Sequence, residues 1–258
     1  MDLEHHKEQL RRTGVCIIPD VLSAEETEHA RERLWEASRE STRRGASPHL
    51  SIDPNDRNVR VFGLLELDPL FREMIQHRTA LEMVRFLLGD YVLVSNFTAN
   101  IALPGSRSMK VHSDQSIVVP EPWMAPWAIN IIWCLNDVRR ENGGTLYLPG
   151  SQTITRRSEL PDGFGAKMEA FEAKAGSIVV MDGRVWHTSG ANVTRDEERA
   201  LMFGYYTSAF LRPQTNWNVT LSPETIATLT PQLKRMLGLG EEANIGLGAG
   251  LPFTLADA

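Results

Sequence analysis

The sequence predicts a mainly β protein, a barrel or jelly roll with flanking helices, and two observations carry that reading. Between about residues 91 and 210 the chain breaks into short runs of strand composition, at 91–103, 108–114, 127–136, 144–149, 176–181, 185–189 and 199–209. Turn signals such as Asn142-Gly143-Gly144, Pro149-Gly150-Ser151 and Asp182-Gly183 separate them. Strands this short with turns this frequent point to closure into a barrel or jelly roll. At 258 residues the chain suits one domain with a sizeable core.

The part before the strands, residues 1–90, is expected to be largely helical. His6-Lys7-Glu8 lies in a charged N-terminal helix, and Gly14-Val15-Cys16-Ile17-Ile18-Pro19 reads as a short buried strand. Ser23, with Glu26 three residues on, is a capping box that starts an amphipathic helix running to about Glu40. Residues 42–60, rich in Ser, Arg, Gly, Asn and Asp, read as a mobile loop, and a helix from Arg78 to Leu88 closes at Gly89. The jelly-roll part spans 91–210. Residues 211–258 form a C-terminal extension of short helices and a tail, Gly246-Leu247-Gly248-Ala249-Gly250.

Composition excludes several classes. With 27 basic and 33 acidic residues the formal charge is −6, and no basic block is present, so neither nucleic acid nor an anionic membrane is an expected partner. The two cysteines, Cys16 and Cys134, sit in separate apolar runs and read as reduced, buried thiols, which fits a cytoplasmic protein. The N-terminus has no secretory-signal pattern, and no apolar run reaches the length of a membrane span.

The chemistry concentrates in Val111-His112-Ser113-Asp114-Gln115 and in Val185-Trp186-His187-Thr188-Ser189. On a strand, His112 and Asp114 project from one face. A third ligand from His187 completes two imidazoles and one carboxylate. That set occupies one triangular face of an octahedral metal and leaves the opposite positions open, as a non-haem Fe(II) centre must if it is to bind a co-substrate and dioxygen. Spacing alone is weak, since about one His-x-acid match arises by chance and His6-Lys7-Glu8 is another. A surface ion pair at His112 and Asp114 and a core histidine at 187 are the alternatives. Arg199 opens an apolar strand twelve residues after His187. A guanidinium entering a barrel interior needs an anion, and the distal carboxylate of 2-oxoglutarate would supply one. The competing reading pairs Arg199 with Glu197 or Glu198 at a strand end; Arg195, in a charged turn, is the weaker anchor.

Together, His112-x-Asp114, the run Glu141-Asn142-Gly143-Gly144-Thr145 leading to Pro149-Gly150-Ser151, and Trp186-His187-x-Ser189-x-x-Asn192 followed by Arg199 resemble the phytanoyl-CoA dioxygenase family of Fe(II)/2-oxoglutarate oxygenases. Residues 14–22 resemble that family's N-terminal strand and turn. The resemblance implies a double-stranded β-helix of the cupin-like kind, iron held by His112, Asp114 and His187, and 2-oxoglutarate anchored by Arg199 with Ser189 or Thr145 assisting. Asn130 and Lys110 are further co-substrate candidates. The expected reaction is oxidation by dioxygen, most simply hydroxylation, of a small, largely apolar metabolite such as a natural product, by a monomer or homodimer. Met109, Trp123, Phe62, Phe210 and Trp217 are expected to line its pocket.

Two departures matter. Gln152 follows Pro149-Gly150-Ser151 where the family often has histidine, and no basic cluster is present for a coenzyme A phosphate, so an acyl-CoA substrate is not expected. A halogenating variant is excluded if Asp114 fills the position a halide needs. A silent jelly-roll binding module and a zinc hydrolase are the remaining alternatives.

Overall fold

In the computed structural model, which describes residues 2–51 and 53–239, the strands form two antiparallel sheets. The N-terminal part contains α1 (Glu4–Thr13), β1 (Val15–Ile18), α2 (Ala24–Arg43), β2 (Asn58–Val61), α3 (Leu64–Leu67), α4 (Pro69–Met74) and α5 (Arg78–Leu88). Then come β3 (Val92–Ala102), β4 (His112–Ser113), β5 (Ala128–Cys134), β6 (Leu146–Tyr147), β7 (Glu169–Ala170), β8 (Ile178–Asp182), β9 (Trp186–Thr188) and β10 (Arg199–Ser208). Three short helices follow, α6 (Trp217–Thr220), α7 (Pro223–Thr228) and α8 (Pro231–Met236). The larger sheet has the order β1-β8-β5-β10-β3-β2, and the smaller β4-β9-β6-β7.

The period-2 alternation of the long strands divides the interior in two. On β10, Ala200, Met202 and Tyr206 face a core shared with the helices, where they meet Val94, Phe97, Ile131 and Trp133. Leu201 and Phe203 face the other way and join Val15, Ile132, Cys134, Val179 and Met181, against Tyr147 and Phe171 from the smaller-sheet side. One face of the larger sheet is thus sealed by helices while the other encloses the space between the sheets, the jelly-roll arrangement the sequence predicts.

Local chemistry fixes the entry to this sandwich. The α2 helix begins with the complete capping box of Ser23 and Glu26. The turn from α1 into β1 is made at Gly14, whose φ of 79° favours glycine; a Cβ there would also lie 2.4 Å from Val185.

The structure corrects several expectations. The supposed loop at 42–60 is shorter: α2 runs to Arg43, and residues 58–61 are a strand paired with β3. Polar composition hid that strand because Asn58 is buried and Arg60 turns inward, where Asp53 pairs with its guanidinium. The strand expected at 108–114 shrinks to two residues, and Asp114 opens a one-turn 3₁₀ helix. Two short helices at 64–74 and the two-residue β7 were not foreseen. The Gly-rich tail falls outside the described residues.

Candidate active site

The register of β4 with β9 sets His112 directly opposite His187, with ring centroids 4.4 Å apart. Asp114 follows at the end of β4. Its Oδ1 lies 3.8 Å from Nε2 of His112 and 3.7 Å from Nε2 of His187. One ligand atom from each of the three residues falls within 4.8 Å of the others, a spacing that can hold a metal ion.

The surroundings prepare each group for that role. Nδ1 of His112 is 3.0 Å from the Lys110 carbonyl, and Nδ1 of His187 is 3.0 Å from that of Val185. Donation from Nδ1 leaves each Nε2 as a lone-pair donor turned toward Asp114. Burial, with His112 nearby, pulls the His187 imidazole below its usual value against the opposing pull of Asp114, favouring the neutral ring a metal requires. The other oxygen of Asp114, Oδ2, accepts from Asn130 Nδ2 at 3.0 Å, and its backbone carbonyl accepts from the Tyr205 hydroxyl at 3.1 Å. Asp114 is thereby held with Oδ1 presented to the histidines.

A cavity of about 330 Å³ opens beside the triad and reaches Arg199. Arg199 is 1% exposed and makes no contact with a carboxylate among the described residues. Its Nε donates to the Gly143 carbonyl at 3.1 Å, its Nη1 to the Asn100 carbonyl at 3.2 Å, and its Nη2 to Asn100 Oδ1 at 3.1 Å. Burial first, and then the nearby Arg60 cation, push this guanidinium down to about 9, the behaviour of a buried cation without a counter-ion. The positive φ of Gly143 places the carbonyl that braces Arg199, so the Asn142-Gly143-Gly144 turn is part of the site.

The expected site residues separate into two groups. Met109, Asn130, Thr145, Ser189 and Arg199 share the cavity wall with the triad. Ser189 Oγ accepts from the Met109 N–H at 3.2 Å. Lys110 is different: its side chain is exposed and only its carbonyl serves the site. The aromatic candidates lie elsewhere. Trp123 is buried against Trp186, Leu148 and Met168, with its indole N–H on the Val118 carbonyl. Trp217 packs into the helix-side core and donates to the Val94 carbonyl at 2.7 Å. Phe62 is half-buried away from the cavity wall, and Phe210 is exposed and edge-on to Trp127. Large aromatics bury readily in any apolar layer, and sequence does not say which. Arg195 is exposed, which leaves Arg199 as the internal one of these two arginines.

Sequence reasoning missed the polar floor of the cavity: Asn96, Thr98 and Asn100 on β3, Tyr205 on β10, Gln214 beyond it, and Arg60 on β2. The signal was present, because Asn96-x-Thr98-x-Asn100 alternates with period 2 inside a run read as apolar. Arg60 is held by the buried Asp53 through Nη2–Oδ1 at 2.6 Å and Nε–Oδ2 at 3.2 Å.

Residues 10–200 match the sequence family described as Phytanoyl-CoA dioxygenase (PhyH). The chain belongs to that family. A relative in the same class, Dioxygenase af480 of Aspergillus fumigatus, is 52% identical over 240 residues, spanning 93% of this chain and 78% of its own length. Among solved structures, the non-heme alpha ketoglutarate dependent carbocyclase SnoK from nogalamycin biosynthesis superposes with a TM-score of 0.67 at 20% identity, covering 88% of this chain and 91% of that one. HygX from Streptomyces hygroscopicus, with nickel and 2-oxoglutarate bound, gives 0.65 at 16% identity, covering 83% and 90%. These structures share the jelly-roll fold of this phytanoyl-CoA dioxygenase family member, which is an Fe(II)/2-oxoglutarate-dependent dioxygenase and hence an oxidoreductase. Among the described residues no helix is long and apolar enough to cross a membrane.

Proposed function

We propose that His112, Asp114 and His187 hold the iron, that Arg199 anchors the distal carboxylate of 2-oxoglutarate with Thr145 and Ser189 beside it, and that the enzyme hydroxylates a small organic metabolite. The observation that carries the reading is a fully buried guanidinium with no acidic partner among the described residues, facing the same cavity as a clustered pair of imidazoles and a carboxylate. Two nitrogens and one oxygen suit Fe(II), and a buried, fixed cation on a cavity wall suits a dicarboxylate.

Bound Fe(II), with 2-oxoglutarate, supplies the oxidation of a C–H bond by dioxygen, leaving succinate and carbon dioxide as co-products. The chain's own part is placement. Asn130 stops the Asp114 carboxylate from rotating, Tyr205 pins its backbone carbonyl, the Lys110 and Val185 carbonyls orient the imidazoles, and burial at Arg199 keeps water from competing for its donors. Met109, Ile117 and Phe203 share the cavity wall with Asn96, Thr98, Ser116 and Gln214, so a metabolite of mixed polarity fits better than a hydrocarbon. The nogalamycin-biosynthesis origin of SnoK supports a natural product as its class. We place the enzyme in the cytoplasm on the strength of two buried free cysteines, and propose that it acts as a monomer or homodimer.

The test is succinate formation from 2-oxoglutarate by the Fe(II)-reconstituted protein, with and without oxygen. Oxygen-dependent turnover, slow without substrate and lost in Asp114→Ala, is expected. Absence of succinate would mark a binding module, and a hydrolytic activity indifferent to oxygen would mark a zinc enzyme.

A further inference from the structure

One residue, Asn100, supplies two of the three acceptors that hold Arg199. The reverse orientation of its amide would set N–H against N–H, so Oδ1 must face the guanidinium and Nδ2 must turn away from it. Asn100 is 3% exposed, and this Nδ2 has no hydrogen-bond partner. A buried donor left in that condition is costly unless a ligand accepts from it. Asn100 lines the cavity that Arg199 and Arg60 also line, and Arg60 is its partner across the β2–β3 pair. Asp53 already balances Arg60. Arg199 and Asn100 thus bring to the cavity wall one guanidinium and one unpartnered amide N–H, both donors, and among the described residues neither is paired with a protein anion.

We propose that Asn100 makes this pocket selective for an anionic co-substrate: its two oxygens aim Arg199, and its Nδ2 donates a further hydrogen bond to the carboxylate that Arg199 holds. The proposal rests on the reading of Arg199 as the 2-oxoglutarate anchor. Neutrality at position 100 is essential to it. Aspartate has nearly the same shape, yet it would sit against Arg199 as a built-in counter-ion and would remove the donor, so the pocket would lose its preference for a charged ligand end.

The experiment is calorimetric titration of the full-length, Ni(II)-loaded protein with 2-oxoglutarate and with 2-oxovalerate, which keeps the keto-acid end and lacks the distal carboxylate. In Asn100→Asp, 2-oxoglutarate should bind about 30-fold more weakly or worse, while 2-oxovalerate changes by about threefold or less. Nickel binding and the thermal midpoint should stay close to wild type. A purely structural contribution would weaken both ligands alike, and that result, or 2-oxoglutarate affinity within about threefold of wild type, would overturn the proposal. If Asn100→Asp does not fold, Asn100→Ser removes both the brace and the donor; it should weaken 2-oxoglutarate by about tenfold, and unchanged affinity there would be equally fatal. Wild-type protein that binds no 2-oxoglutarate would instead remove the parent reading of Arg199.

Discussion

His112 and His187 face each other because β4 and β9 pair in the one register that makes them partners, and Asp114 reaches both because the chain turns just after β4. None of the three supports the hydrophobic core, so truncating any of them should spare the fold. In His112→Ala, Asp114→Ala and His187→Ala, bound iron and turnover should fall together while circular dichroism stays native; a variant that keeps both is not missing a ligand. For Arg199→Gln the loss of a charge-assisted pair with a buried carboxylate should weaken 2-oxoglutarate by about 100-fold, or roughly 3 kcal/mol. Iron affinity should change little. Arg195→Gln, altered in an exposed side chain, should bind 2-oxoglutarate as wild type does, and the reverse ranking of the two arginines would show that the anchor is misassigned.

At the scale of elements, two loops cross beside Arg199 at van der Waals distance. A Cβ added to Gly190 would lie 2.4 Å from the Gly144 carbonyl, next to the Gly143 carbonyl that braces the guanidinium. Gly190→Ala should therefore force the loops apart, costing about 1–3 kcal/mol in denaturant unfolding and weakening 2-oxoglutarate as well. Stability loss with unaltered 2-oxoglutarate affinity would show that the crossing is structural only. The same region shows why the sequence was legible in some places and opaque in others. Strands with long apolar runs, such as β5 and β10, announce themselves, and so does the capping box of α2. The pair β4 and β9, of two and three residues, carries the two histidines and sets Asp114 just beyond β4; such strands are too short for periodicity, and there the motif itself was the signal. By contrast β2, β3 and the Asp53 loop hold Arg60, Asn96, Thr98 and Asn100, polar residues that read as loop or were overlooked within an apolar strand. Polar side chains inside a protein look like surface in a sequence, because what justifies their burial is a partner far away in the chain. The tryptophans failed for the complementary reason: apolar character marks them as buried without saying in which cluster, and Trp217 joins the helix-side core while Trp123 packs with Trp186, Leu148 and Met168.

Across the whole molecule, the sheets enclose a cavity that is mixed in polarity, with one apolar core on the helix side of the larger sheet and a second between the sheets. Cys16 and Cys134 belong to those cores, one to each. Burial pushes both thiols up to about 12, so each stays protonated and shielded at pH 8. Alkylation by iodoacetamide should be negligible in the native protein at that pH and should reach both cysteines in denaturant; rapid native labelling would mean that the sandwich opens readily. The proposed function requires the cavity's two ends to work together, the triad for iron and Arg199 for the co-substrate. It is tested most directly by anaerobic titration of Fe(II) and 2-oxoglutarate, followed in visible absorption. A band that appears only when both are present, saturates at one equivalent of each, and needs far more 2-oxoglutarate in Arg199→Gln is the predicted result. Iron bound without any such band, or a band indifferent to Arg199, would contradict the account.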